Sequence, residues 1–398
     1  MQAPCSFGGD MLRRLTRKIR SCFGKPDFVR VMDYFPSGGI PKGHVLVSYI
    51  PGSLVCRDDD RCLRRHSNSW ESLEIARIFT RNGYAVDAIS WDDASFVPKR
   101  DYAAVFDISA NLARCSQPGT YKFFHATGSD PLFSNKAERE RLESLKARRG
   151  VSIAPRRFIK EADVALFHGN LAKADTVTLI GNEVTSATFP DLLRRKLHRV
   201  DPTGSYLSRI RNPRWIDIKR EFVWFNGAGA VHKGLDLVLE AFARHPELVL
   251  HVIGPYLKER DFTAAYEHEL TRCPNIISHG FLYPSSRRFQ EITRNVLGFV
   301  SPSCSEGIST SAVTCMHYGM VPVVSRNSGI DMTEDMGRVL DTCTIEEIEE
   351  MVLSLADTAE TEIRRMIAFS QEYALNRFSR KEFSRSMGNV IARALCSC

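Results

Sequence analysis

The chain has 398 residues, 43% apolar and 25% charged, with a formal net charge of +7 at neutral pH. That length predicts two to three domains with substantial cores, and the composition excludes both a disordered chain and a membrane-embedded one. No uninterrupted apolar run approaches the ~18 residues that a spanning helix needs. The eleven cysteines, odd in number and without CxxC spacing, read as reduced thiols of a cytoplasmic chain.

Residues 1–27 form a basic N-terminal arm in which Arg13, Arg14, Arg17, Lys18 and Arg20 alternate with Leu12, Leu15 and Ile19. Two readings stand for it: a frayed, solvated arm, or a peripheral contact with the anionic inner face of a membrane. The first residues lack the continuous apolar core of a secretory signal, so export is not expected. Basic and aromatic residues are not interleaved as nucleic-acid binding would require.

Residues 28–205 read as a doubly wound α/β domain. Short apolar runs at 45–50, 86–90, 103–108, 121–125, 164–167 and 177–180 predict strands, and Leu73, Ala76 and Phe79 give an inward stripe to a helix over 70–82 that Gly83 ends. Such alternation predicts a parallel sheet with covering helices. His125 falls at a strand end followed by a glycine loop, where it either meets a ligand or is satisfied by the backbone. His66 and Asn68 precede the first helix and serve either the acceptor side or as caps. The run Asp58-Asp59-Asp60 reads as a solvated loop, and Asp92-Asp93 as a turn or an acceptor contact. Carboxylates and histidines at ligand spacing are lacking, so no metal is expected. Residues 206–220, with Pro213 and several arginines, form the predicted linker.

The second domain, 221–372, carries the chemistry. An apolar strand at 223–225 runs into a loop with Gly227, Gly229 and Lys233. Leu235, Val238, Leu239 and Phe242 then predict a helix, and 248–253 the next strand. A second strand at 297–301 is stopped by Pro302, after which Glu306 and Gly307 lead through Ile308 and Ser309 to a helix beginning near Thr310. Gly319 ends that helix before a strand at 321–324. A helix start suits phosphate, because its amides are unpaired and its dipole is positive there. Lys233 supplies a point charge for a diphosphate, and Glu306 an acceptor for sugar hydroxyls. Thr314, inside the helix, bonds either its own backbone or a ribose. Base recognition is expected from the backbone around Gly280–Leu282, which includes Phe281. Thr344-x-x-Glu347 and Ser379-x-x-Glu382 are capping boxes, the second opening a helix with Phe383, Met387 and Ile391 on one face.

At these residues the chain resembles the retaining GT-B glycosyltransferases, in particular glycosyltransferase family 4 of bacterial polysaccharide biosynthesis. His232-Lys233-Gly234-Leu235-Asp236 matches its lysine–glycine loop, Glu306 the first of its two glutamates, and residues 319–325 the turn and Pro-Val-Val strand that follow. The chain departs from the pattern twice: Thr314 stands in the place of the second glutamate, and only small residues occupy the loop where an arginine often precedes the lysine. The resemblance implies two Rossmann-like domains facing across a cleft, with a C-terminal segment, 373–398, crossing back to the first. It implies transfer, with retention and without a metal, from a nucleotide-diphosphate sugar to a glycan or lipid-linked acceptor. His125, Glu306 and Lys233 then form the catalytic group. Gly227, Gly229, Phe281, Leu282, Gly307, Ile308, Ser309, Thr310 and Thr314 join Lys233 and Glu306 on the donor, while His66 and Asn68 face the acceptor. The missing glutamate and arginine keep a non-catalytic GT-B binding or scaffold protein open, and a nucleotide-sugar epimerase of the same shape is the third reading.

Overall fold

A computed structural model describes residues 28–56, 63–64, 66–205 and 219–396. The basic arm, the Asp58-Asp59-Asp60 run and most of the expected linker lie outside the described residues. Among the described residues the first lobe contains β1 (Val31–Tyr34), β2 (Gly43–Tyr49), β3 (Tyr84–Ser90), β4 (Ala104–Asp107), β5 (Tyr121–Ala126), β6 (Thr176–Leu179) and β7 (Leu197–Arg199). Their order is β1-β3-β2-β4-β5-β6-β7, parallel except for β1, which runs against β3. The second lobe contains β8 (Lys219–Phe225), β9 (Val249–Ile253), β10 (Ile276–Gly280), β11 (Val296–Ser301), β12 (Val321–Ser325) and β13 (Arg338–Leu340), all parallel in the order β10-β9-β8-β11-β12-β13. In each sheet the chain winds outward in both directions from its first parallel strand. The crevice therefore opens beside β2/β4 in one lobe and β8/β11 in the other.

Helices of eight residues or more are α1 (Ser67–Arg81), α2 (Pro131–Arg149), α3 (Glu161–Lys173), α4 (Leu235–Ala243), α5 (Thr310–His317), α6 (Ile345–Asp357), α7 (Glu360–Arg377) and α8 (Arg380–Cys396). Both faces of each sheet are covered. In β2, Val45 and Val47 enter the core beneath α1, and Leu46 enters the core on the opposite face. This is the pattern of a parallel strand buried on two sides.

Before the C-terminal segment, the structure differs from the sequence reading in three places. The expected strand at 164–167 lies inside α3, where Val164, Phe167 and Leu171 recur at helical spacing; a four-residue apolar run does not distinguish the two states. The expected linker ends earlier, because β8 begins at Lys219. The third concerns α2 and the strap after it, residues 150–157, which leave the first lobe and pack on the second. Leu145 and Ile153 join the core of α4, β8 and β9, Arg148 pairs with Asp236 at 2.8 Å, and the Arg149 guanidinium lies 4.4 Å from the Tyr266 ring centroid.

The C-terminal crossing occurs at 378–379, a few residues beyond the expected 373. Helix α7 still belongs to the second lobe, and α8 returns to the first, with Phe383, Met387 and Ile391 fully buried and Phe383 edge-on to Trp70 at 6.0 Å. The hydroxyl half of each expected capping box forms, Thr344 accepting from the Glu347 amide and Ser379 from the Glu382 amide, while the Glu347 carboxylate takes the Asp341, Thr342 and Cys343 amides and the Glu382 carboxylate pairs with Arg385. The expectation of reduced thiols throughout is corrected at one position, since Cys56 is disulfide-bonded, whereas Cys115, Cys273, Cys304, Cys315, Cys343 and Cys396 are free. No described helix is long and apolar enough to cross a membrane.

Candidate active site

A cleft of about 780 Å³ separates the lobes at the C-terminal ends of their strands, a size suited to a small organic ligand. The first lobe lines it with Trp91 and Asp92 after β3, residues 108–110 after β4 and residues 127–129 after β5. The end of the strap and the residues that join it to α3 contribute 156–160, and the second lobe His232 and residues 305–307.

Lys233 and Glu306 meet on the second-lobe side. The loops after β8 and β11 come together because these strands are neighbours, and Gly234 makes the approach feasible. It has φ +72°, and a Cβ there would stand 2.5 Å from Pro302 Cγ. The Lys233 ammonium donates to Glu306 Oε1, and the Ser303 hydroxyl donates to the same oxygen at 2.8 Å. Burial raises the Glu306 pKa, but the charge and hydrogen bond of Lys233 outweigh it and hold the carboxyl below its ordinary value. Burial likewise depresses the Lys233 ammonium, and Glu306 opposes that. His232 donates from Nε2 to the Ser305 carbonyl at 2.9 Å, while its buried Nδ1 has no hydrogen-bond partner. Burial, aided by Lys233, pushes its pKa down to about 3, so the ring is neutral.

The remaining donor expectations separate into those at the cleft and those elsewhere. Gly307 lines it, yet is pressed between lobes: a Cβ there would lie 2.5 Å from the Ile180 carbonyl and 2.8 Å from that of Thr127. The Gly307 carbonyl accepts from Thr185 at 2.9 Å, and the Ser129 hydroxyl donates to the Glu306 carbonyl. Ile308 is buried against Ile180, Ser309 caps α5 by accepting from Ala312, and Thr310 is half-buried at the first turn. Gly227 is exposed, but the Gly229 amide, counted on for phosphate, donates to Glu259 at 2.8 Å, as does that of Ala230. Thr314 is corrected: its hydroxyl donates to the Thr310 carbonyl at 2.7 Å and accepts from the Ser205 amide at 3.1 Å, so it anchors the chain between lobes. Phe281 and Leu282 follow β10 at the same edge of the sheet, Phe281 exposed against Tyr283 with ring centroids 4.8 Å apart, and neither lines the cleft.

The first-lobe expectations also need correction. His125 is fully buried, bonded through Nδ1 to Thr178 Oγ1 at 2.7 Å and packed against Tyr49 and Phe106. Burial pushes its pKa down to about 3. Because side chains alternate along β5, it points into the layer beneath α1, while Thr127, Gly128 and Ser129 reach the cleft. His66 is the N-cap of α1, its Nδ1 accepting from the Asn68 amide at 3.3 Å, and neither residue lines the cleft. Of the two aspartates, Asp92 is at the cleft, and Asp93 is buried in an ion pair with Arg30 at 2.7 Å.

Sequence reasoning missed Arg156 and Arg157 of the strap and Lys160 at the start of α3, which bring positive charge to the cleft wall. Their signal was the basic cluster in RRFIK at 156–160, whose destination on the second lobe no local pattern reveals. Among the described residues no group of three or more His, Cys, Asp or Glu side chains is placed to hold a metal ion.

Residues 209–368 match the sequence family described as Glycosyl transferases group 1. Over 89% of its length the chain shares the two-lobed GT-B fold with solved glycosyltransferase structures. It is similar to the sucrose-phosphate synthase of Thermosynechococcus elongatus, with TM-score 0.62 and 13% identity over 89% of this chain and 100% of that one. Anabaena HepE in complex with UDP-glucose gives TM-score 0.58 at 11% identity over 89% of this chain and 100% of that one. S. aureus TarM gives TM-score 0.51 at 12% identity over 72% of this chain; the chain spans about half the length of TarM, 54%. No sequence among the curated proteins matches this chain.

Proposed function

We propose that the chain is a retaining glycosyltransferase that moves a hexosyl group from a nucleoside diphosphate sugar to a glycan or lipid-linked acceptor of a polysaccharide pathway, without a metal, in the cytoplasm. The observation that carries this is the ion pair of buried Lys233 with Glu306, which lines the cleft shared by both lobes. A diphosphate entering beside it competes for the ammonium and leaves the carboxylate to accept from sugar hydroxyls. As the bond from the anomeric carbon to the phosphate breaks, negative charge grows on the leaving group, and Lys233 stabilises it in a water-poor site. His232, neutral and fixed through Ser305, positions the loop that carries Lys233. Retention rests on the resemblance to family 4, with the leaving phosphate taking the acceptor proton. HepE binds UDP-glucose and TarM belongs to the same fold, which makes UDP-sugars the first donors to test.

A thermal-shift screen with UDP, GDP, ADP and their sugars tests donor binding, since a ligand that binds only the folded state raises the melting temperature. Product analysis of the matching donor, with and without acceptor, then separates transfer from epimerisation. The occupation of the Gly229 and Ala230 amides by Glu259 favours the second reading, a non-catalytic binding protein. Donor binding without turnover would establish that reading instead.

A further inference from the structure

The Lys233–Glu306 pair is electrically balanced, and the nearby loop amides of Gly229 and Ala230 already face Glu259. A diphosphate therefore needs positive charge from elsewhere. Two adjacent arginines of the strap reach this place with different surroundings. Arg156 is spent on structure, paired with Asp261 and 3.8 Å from Glu259. Arg157 lines the cleft, and its guanidinium has no hydrogen bond or ion pair among the described residues.

Its position is nonetheless fixed. Glu138 of α2 accepts from the amides of both Arg156 and Arg157, at 3.0 Å each. The Arg157 side chain then lies across the backbone of Gly229, so that a Cβ on that glycine would be 2.8 Å from Arg157 Cγ. It is close enough to Lys233 for the two like charges to oppose each other. The strap is bound to the second lobe through Leu145, Ile153, Arg148 and Arg149, so Arg157 moves with the nucleotide side although it precedes the linker in sequence.

We propose that Arg157 is a donor-binding residue whose planar guanidinium grips the diphosphate of the nucleotide sugar, supplying from the strap the charge that the loop of residues 226–232 lacks. A fork of N–H donors matches phosphate oxygens in a way that a point charge does not. The inference rests on the donor reading above.

The test is calorimetric titration of the full chain with UDP, GDP and ADP and with the corresponding monophosphates, in the absence of acceptor, for wild type, Arg157→Ala and Arg157→Lys. The expected result is a loss of roughly tenfold or more in diphosphate affinity for Arg157→Ala, partial recovery in Arg157→Lys, a smaller loss for the monophosphates, and an unchanged melting temperature without ligand. Equal diphosphate affinity in wild type and Arg157→Ala would overturn the inference and leave the donor reading intact. Wild type that binds none of the three diphosphates overturns both.

Discussion

Lys233 and Glu306, 73 residues apart, form a buried ion pair because β8 and β11 lie side by side and deliver both loops to one point. Removing one partner leaves the other charge buried and alone, at a cost of about 3–5 kcal/mol. Lys233→Ala is therefore expected to lower stability by that order and to abolish transfer. The double variant Lys233→Met with Glu306→Gln should regain most of the stability in denaturant titrations and none of the activity. Activity in the double variant would show that the pair is purely structural.

Gly307 sets how closely the lobes approach. Its added Cβ would meet two first-lobe carbonyls at 2.5 and 2.8 Å, so Gly307→Ala is expected to prop the cleft open. Small-angle scattering should show a larger radius of gyration, and transfer should fall at least tenfold. An unchanged scattering profile would argue that the strand-end loops yield instead.

Gly229 has φ +93° and supports Arg157. Gly229→Ala combines backbone strain of order 1–3 kcal/mol with displacement of that arginine. A lower melting temperature together with weaker diphosphate binding is expected, and unaltered nucleotide affinity would count against the contact.

Glu71 makes stability depend on pH. Its Oε1 accepts from the amide and hydroxyl of Thr203 at 2.7 and 2.9 Å, while buried Oε2 has no hydrogen-bond partner. Burial raises its pKa from 4.5 to about 7. A carboxyl raised on folding gives stability that is complete below pH 4.5 and is lost as pH rises through 7, on the order of 3 kcal/mol. Glu71→Gln should flatten the melting-temperature profile across that window. Superimposable profiles for wild type and variant would refute this.

Phe383, buried edge-on to Trp70, pins α8 to the first lobe. Truncating it to Ala should cost about 3–5 kcal/mol. Limited proteolysis after residue 378 would report the release of α8, and resistance equal to wild type would contradict its role as the anchor.

Much of the second lobe was legible because its signals are local: a short apolar run, a glycine loop with its lysine, a helical stripe and a Pro-containing strand each lie within a few residues. His125 was placed correctly at the end of a strand and wrongly toward the ligand. One step of strand alternation decides which face a side chain takes, and the pairing of His125 with Thr178 on β6 turned it inward. Residues 164–167 failed for a related reason, since so short an apolar run fits both periods. Thr314 was left between backbone and ribose, and its second partner, the Ser205 amide, is 109 residues away.

The sequence by itself determined the alternating α/β class, the two loops that carry Lys233 and Glu306, and the apolar face of the last helix, because periodicity and capping act over a few residues; the return of that helix to the first lobe was implied by the resemblance alone. Only the tertiary structure decided that α2 and its strap cross to the second lobe, that Glu259 takes the loop amides, and that Arg157 stands at the cleft with its guanidinium unpaired among the described residues. Those outcomes depend on which distant charges and apolar faces come together once the lobes pack, and no local pattern encodes such meetings.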